Sequence, residues 1–331
     1  MEGRATRRHH RIRGRSVISS LRDLIEITVL ALYLAVVIQP SAQRTANSGK
    51  TDTNVILGVL EDLPGEYAGD HDFRAVRAIF KKIGDDWQAF PTKTKTYHDV
   101  DALSAFYPKE MTWSIAFDGK KLGTITAETP SHFRFYSEIG IEHITSHGQI
   151  PTIGGKSVEY SGDFHIPVYR PLVAVSRPNV SDPEQWKVTE LSHELIAAAR
   201  QQFRLKFPQA TNCRNPQENI ARPWKYRDED IRVTKAYSSK DKWSLIELNL
   251  TGNACDGEQG SQDEFHGQWF VIEPAGEARF LGSDMWLVDA GDYDNDGRSE
   301  VLFAIDAHNL GGYRLFYRGF AKCAEFAFHY H

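Results

Sequence analysis

Apolar and polar positions alternate along most of this chain in short runs broken by turn residues. Met111-Thr-Trp-Ser-Ile-Ala-Phe117 and Leu122-Gly-Thr-Ile-Thr-Ala127 flank Asp118-Gly119, a dipeptide that favours a two-residue hairpin. The same unit of strand, turn and strand recurs. Arg77 to Lys82 and Trp87 to Phe90 flank Ile83-Gly-Asp-Asp86, and Ile231 to Tyr237 precedes Trp243 to Leu250. Gln268 to Ile272 precedes Ala278 to Leu281, and Gly312 to Tyr317 precedes Cys323 to Tyr330. One segment has a different period: Leu191, Leu195, Ile196, Ala199, Phe203 and Phe207 follow helical spacing, with Ser192 as a cap and Pro208 as a stop. The pattern predicts an all-β fold with one inserted helix near 190–207, read as a packed insertion in preference to a junction between two β halves. Hairpins spaced by roughly forty residues predict a β-propeller-like domain over 52–331 with five or six degenerate blades. Two β-sandwich-like halves are the alternative.

One loop combines residue type and spacing into a chemistry. In Asp292-Tyr-Asp-Asn-Asp-Gly-Arg-Ser-Glu300, carboxylates stand at Asp292, Asp294 and Asp296, every second position, and Gly297 permits the tight turn that converges their oxygens. The peptide carbonyl of Arg298 and the side chain of Glu300 supply a fifth and a sixth oxygen. A donor set of oxygen alone suits a hard divalent cation, and four facing carboxylates without one would repel. A helix-loop-helix calcium site requires an acid at its twelfth position, which here is Phe303. The flanks Met285 to Asp289 and Val301 to Ile305 are β-branched and aromatic, so the loop joins strands.

The stretch from Val288 to Leu302 resembles the FG-GAP/VCBS family of β-propeller repeats, in which an Asp-x-Asp-x-Asp-Gly loop inside a blade binds calcium. The likeness covers one blade, about residues 268–317. It implies Ca2+ as the ion, with Asp292, Asp294, Asp296, Arg298 and Glu300 as the metal residues. That family usually carries Asp where this chain has Glu300, a longer acid able to reach the ion directly or through water.

Composition adds little to the fold but restricts partners. The chain has 331 residues, 41% hydrophobic and 25% charged, with an aromatic share of 11% that favours β structure. Its net charge of −5 hides an asymmetry. Without the seven Arg and three acids of the first 26 residues, the 39 basic and 44 acidic residues fall to 32 and 41, leaving a body near −9. An acidic body excludes a nucleic-acid partner from the leading expectations.

The basic start is followed by Ile27-Thr-Val-Leu-Ala-Leu-Tyr-Leu-Ala-Val-Val-Ile38. Positive charge before an apolar run directs the remainder across a membrane, so residues 1–43 read as an export signal or membrane anchor, with 44–51 a polar linker. Twelve residues span about 18 Å as a helix, short of a bilayer core of about 30 Å, which points to a cleaved leader. The long basic region and Pro40 at the third position before Ala42 point to a retained anchor, and both stay open. The expected location is the periplasm or cell surface, with membrane contact only through this segment.

Arg22 to Glu26, the apolar run and Val37-Ile-Gln-Pro40 are similar to the amino-terminal anchor of type I signal peptidases, but the Ser-Met pair of that family does not occur here. The remaining candidates for chemistry are sparse. Cys213 and Cys255, both in turn-rich sequence, are a plausible disulfide closing a loop of about forty residues, whereas Cys323 reads as a buried thiol. Glu142, His143 and His147 lack a helix to align them, and His193-Glu194 lacks the second His of a zinc helix. No nucleophile elbow, P-loop or dinucleotide fingerprint appears. The leading expectation is therefore an exported, non-catalytic, calcium-stabilised protein that binds a protein or glycan through loops. The alternative is a secreted hydrolase with acids in a central channel.

Overall fold

A computed structural model of the protein describes residues 55–63, 73–93, 100–130, 139–153, 171–212, 222–250, 254–255, 267–307 and 309–329. The leader, the linker and Cys213, with its expected partnership to Cys255, lie outside them. Among the described residues no helix is long and apolar enough to cross a membrane.

The chain is mostly β, as the alternation predicts. Strands β1 (Ile56–Leu63), β2 (Phe73–Ile83), β3 (Asp86–Ala89), β4 (Met111–Phe117), β5 (Lys120–Ala127), β6 (Ile141–His143) and β7 (Leu172–Val175) form one antiparallel sheet in the order β3-β2-β1-β7-β4-β5, with β6 beside β2. Then follow β8 (Lys187–Val188), helix α1 (His193–Lys206), β9 (Ala210–Asn212), β10 (Arg222–Trp224), β11 (Ile231–Ser238), β12 (Ser244–Leu250), β13 (Ala254–Cys255), β14 (Gln268–Ile272) and β15 (Ala278–Gly282). Strands β15-β14-β12-β11-β8 make a five-stranded sheet, and β10-β9-β13 a small separate one. Last come β16 (Met285–Gly291), β17 (Glu300–Ala307), β18 (Leu310–Tyr317) and β19 (Lys322–His329), a four-stranded meander with neighbours in chain order.

All six strand pairs expected from the turn signals are present. Asp118 and Gly119 both take positive φ, 52° and 66°, as a tight hairpin demands. A Cβ on Gly119 would lie 2.6 Å from the backbone nitrogen of Asp182, so this turn also requires glycine for close approach. The helix is capped by Ser192, whose hydroxyl accepts from the Leu195 N–H at 3.5 Å.

The layers explain the burial pattern. One face of the meander packs on the first sheet through Leu302, Ala304, Leu315 and Phe326. Its other face offers Val301, Phe303, Ile305 and Phe316 to Leu245, Trp269 and Val271 of the five-stranded sheet. The far face of that sheet is covered by α1 through Ala199 and Phe203, against Ile246, Leu248 and Phe270. The helix is thus a cover over apolar sheet surface, in keeping with a packed insertion. With both faces occupied, Val301 to Ile305 of β17 are buried without alternation.

None of the described sheets closes on itself. Among the described residues there are four sheets, of seven, three, five and four strands, and the C-terminal meander has the strand order of a blade. Cys323 also departs from expectation, because it is exposed. In β19 the inward positions are Ala324, Phe326 and Phe328, so period two turns Cys323 outward.

One buried polar group has a measurable signature. Glu142, fully buried on β6, accepts from Trp113 Nε1–H at 2.8 Å, and its Oε1 has no hydrogen-bond partner. Burial pushes its carboxyl up to about 9, against the smaller opposing effect of the Trp113 hydrogen bond. The unfolded chain loses this proton near its ordinary value of 4.5 while the folded chain keeps it, so stability falls as pH rises from about 4.5 to about 9. Glu142→Gln removes that slope. Urea midpoints should differ little between the two proteins at pH 5, with the variant the more stable at pH 8.5; parallel pH profiles would refute the assignment.

Candidate metal centre

The acidic loop lies in the turn between β16 and β17. The ladder ends with Gly291 opposite Glu300, which brings the first and last acids of the motif to the mouth of the same hairpin. A bulge between Leu287 and Asp289 puts both Val288 and Asp289 on the side of the first sheet, where Asp289 Oδ1 accepts from the Asp118 N–H at 3.0 Å. The hairpin tip of β4 and β5 is thereby fastened beside the loop.

Within the loop, side-chain oxygens hold the backbone. Asp292 accepts from the N–H groups of Asp296 and Gly297, each at 3.0 Å, and Asp294 Oδ1 accepts from Asp296 N–H at 3.1 Å. Positive φ at Asn295 (64°) and Gly297 (88°) makes the reversal; only the second position carries the residue that takes this conformation freely. Asp292, Asp294 and Glu300 each bring one carboxylate oxygen within 4.8 Å of the others. This buried acidic triad could hold a metal ion. Asp296 lies at the exposed tip, where its Oδ1 accepts from the Arg298 N–H at 2.8 Å, and the Arg298 side chain is exposed. Asp292, Asp294 and Glu300 of the five expected metal residues therefore form the cluster; the ligand expected at Arg298 is its peptide carbonyl and not its side chain.

The electrostatics follow from burial. Glu300 is 2% exposed and Asp292 5%. Burial first, then the neighbouring carboxylates, drives Glu300 well above the usual carboxylate range; burial also raises Asp292, opposed by the Gly297 N–H. Glu300 uses only Oε2 in a hydrogen bond, from Tyr293 N–H at 2.9 Å, leaving its other oxygen as a donor for a cation. All-oxygen, carboxylate-rich and withdrawn from water, the set fits a hard divalent ion.

Several groups that hold the loop carry no sequence signal, because they are distant in the chain. Lys82 of β2 forms an ion pair with Asp294 Oδ2, and Arg177 donates to the Asp294 carbonyl. Asp292 N–H donates to Ser181 O at 2.7 Å, a one-rung bridge between segments. Beside it, Asp182 accepts from the N–H groups of Glu184, Gln185 and Trp186 and from the Ser299 hydroxyl at 2.6 Å. Glu142, by contrast, faces Trp113 in the core and His147 is exposed, so the Glu-His segment forms no cluster; His193 and Glu194 lie exposed at the start of α1.

Loss of the Asp182 carboxylate leaves the Trp186 N–H and the Ser299 hydroxyl without their acceptor, and leaves Glu184 N–H and Gln185 N–H only their longer bonds to Ser299 Oγ and the Asp182 carbonyl, at 3.4 and 3.3 Å. Asp182→Ala should destabilise the protein by about 2–3 kcal/mol, since hydrogen bonds to a charged acceptor contribute about 1.5–3 kcal/mol each and water re-solvates part of the turn. Urea unfolding checks this, and a change below about 0.5 kcal/mol, the usual effect of a surface substitution, would contradict it.

No family model, curated protein or solved structure matches this chain.

Proposed function

We propose that this chain is an exported, non-catalytic, calcium-stabilised β protein whose loops bind a protein or glycan partner, with its N-terminal segment acting as export signal or anchor. The observation that carries the reading is the buried triad Asp292, Asp294 and Glu300 at the junction of two packed sheets. Three carboxylates at such a junction are costly unless a cation joins them, and the all-oxygen donor set favours calcium. The resemblance of Val288 to Leu302 to FG-GAP/VCBS repeats supports the same ion. Calcium here has a structural role: Asp292, Asp294 and Glu300 would hold it through oxygen, and its charge would hold together acids that otherwise repel.

The propeller-like arrangement draws support from the blade form of β16–β19 and from the face-to-face stacking of that meander between two other sheets. The non-sequential strand order of the seven-stranded sheet favours the alternative of two packed β halves. The choice between binding and hydrolysis rests on solvent access. Carboxyls with strongly raised pKa, Glu142 and Glu300, are both buried and so are poorly placed to meet a substrate, which supports the non-catalytic reading.

At ten- to hundredfold excess over its dissociation constant, calcium adds about 1.4–2.7 kcal/mol to stability. For residues 44–331 that corresponds to a rise in melting temperature of roughly 2–5 °C. Because the ion requires ionised ligands, the gain should be greater at pH 8 than at pH 5. Thermal unfolding of residues 44–331 with millimolar calcium, magnesium or chelator measures it, beside Asp292→Ala/Asp294→Ala. The expected result is a calcium-selective rise absent from the variant; equal melting curves in all three conditions would overturn the metal reading.

A further inference from the structure

Lys82 is the basic side chain, among the described residues, that ion-pairs with the acidic triad. Its backbone position is fixed by its own strand. The backbone of Lys82 pairs with Trp87 across the β2–β3 hairpin, and its N–H donates to Val55 O at 2.8 Å. Its side chain is 13% exposed and that of Asp294 4%, so little water screens the pair. The oxygen it engages, Asp294 Oδ2, belongs to one of the three carboxylates that converge. Glu300, in the same cluster, accepts through Oε2 from the Tyr293 N–H at 2.9 Å and keeps its other oxygen outside that bond. The cluster is thus neither fully saturated by the protein nor free of protein positive charge.

We propose that Lys82 is an internal counter-ion that competes with the divalent cation for Asp294 and thereby sets the affinity of the site. This rests on the metal reading given above. An ammonium hydrogen-bonded to Asp294 Oδ2 occupies a lone pair the metal needs, and its charge repels the incoming ion. The ammonium has an alternative resting place. It lies 5.3 Å from the centre of the Trp87 ring and 5.8 Å from that of Tyr317, so on leaving the carboxylate it keeps cation–π contact on both. Lys82 therefore has two opposed effects. It stabilises the loop when no metal is bound and weakens metal binding when one is offered.

The opposed signs make the test specific. A residue that only supports the loop would weaken metal binding when removed; a competitor strengthens it. Lys82→Met keeps the apolar stem against the rings and removes the charge; Lys82→Gln removes the charge and keeps a hydrogen-bond donor; Lys82→Arg keeps the charge. Calorimetric calcium titration of all four proteins gives affinities, and melting in chelator gives the metal-free stability. The expected result is binding roughly tenfold tighter in Lys82→Met and Lys82→Gln, given the size of such charge interactions at short range. Lys82→Arg should remain near the parent, and both neutral variants should melt lower in chelator. Calcium binding by the neutral variants but not by the parent also supports the competition. Unchanged or weaker binding in both neutral variants, with the parent still binding, overturns it and leaves the metal reading intact. Absence of calcium binding in every protein overturns both together.

Discussion

Like charges cannot be gathered out of water without positive charge among them, and this constraint governs the junction at which Asp292, Asp294 and Glu300 meet. The C-terminal meander is covered on both faces, by the first sheet and by the five-stranded sheet, so its connecting turn is drawn to the edge of a packed interface. Acids in that turn lose hydration as the layers close. The fold answers in three ways: backbone N–H groups point at the carboxylates, Lys82 reaches Asp294 from another sheet, and burial shifts the Glu300 carboxyl upward, toward its neutral form. A divalent cation would replace the third with a direct attraction.

The same junction explains why the loop is supported by segments so far apart in the chain. Arg177, Ser181 and Asp182 follow β7, the strand at the centre of the first sheet, and each holds part of the hairpin mouth. Asp118, at the tip of the β4–β5 hairpin, adds a contact to Asp289. Ion binding in such a place would act on how firmly the layers dock and not only on the loop itself. That is the role expected of a structural metal, and it would leave the outer loops available for the proposed partner.

Local order was largely legible in the sequence, because it depends on near neighbours. Asp118-Gly119 needs positive φ at both residues, Ser192 and Pro208 bracket α1, and alternate carboxylates with a following glycine define the loop. Sheet assembly was not legible. The order β3-β2-β1-β7-β4-β5 pairs strands separated by more than a hundred residues, and nothing in the alternation of β7 says that it inserts between β1 and β4. The roles of Lys82 and Asp182 were hidden for the same reason: each looks like an ordinary surface charge until the layers pack. Cys323 was misread because a strand-like run fixes the period of burial and not its phase.

The most direct test of a cation at this junction is a crystal structure of the protein grown with calcium and, separately, with a lanthanide that scatters anomalously. A single anomalous peak among Asp292, Asp294 and Glu300, with oxygens at about 2.3–2.6 Å in the calcium form, is the predicted result, together with release of Asp294 by Lys82. A well-ordered loop with no peak, and with the Lys82–Asp294 pair intact in saturating metal, would contradict the account.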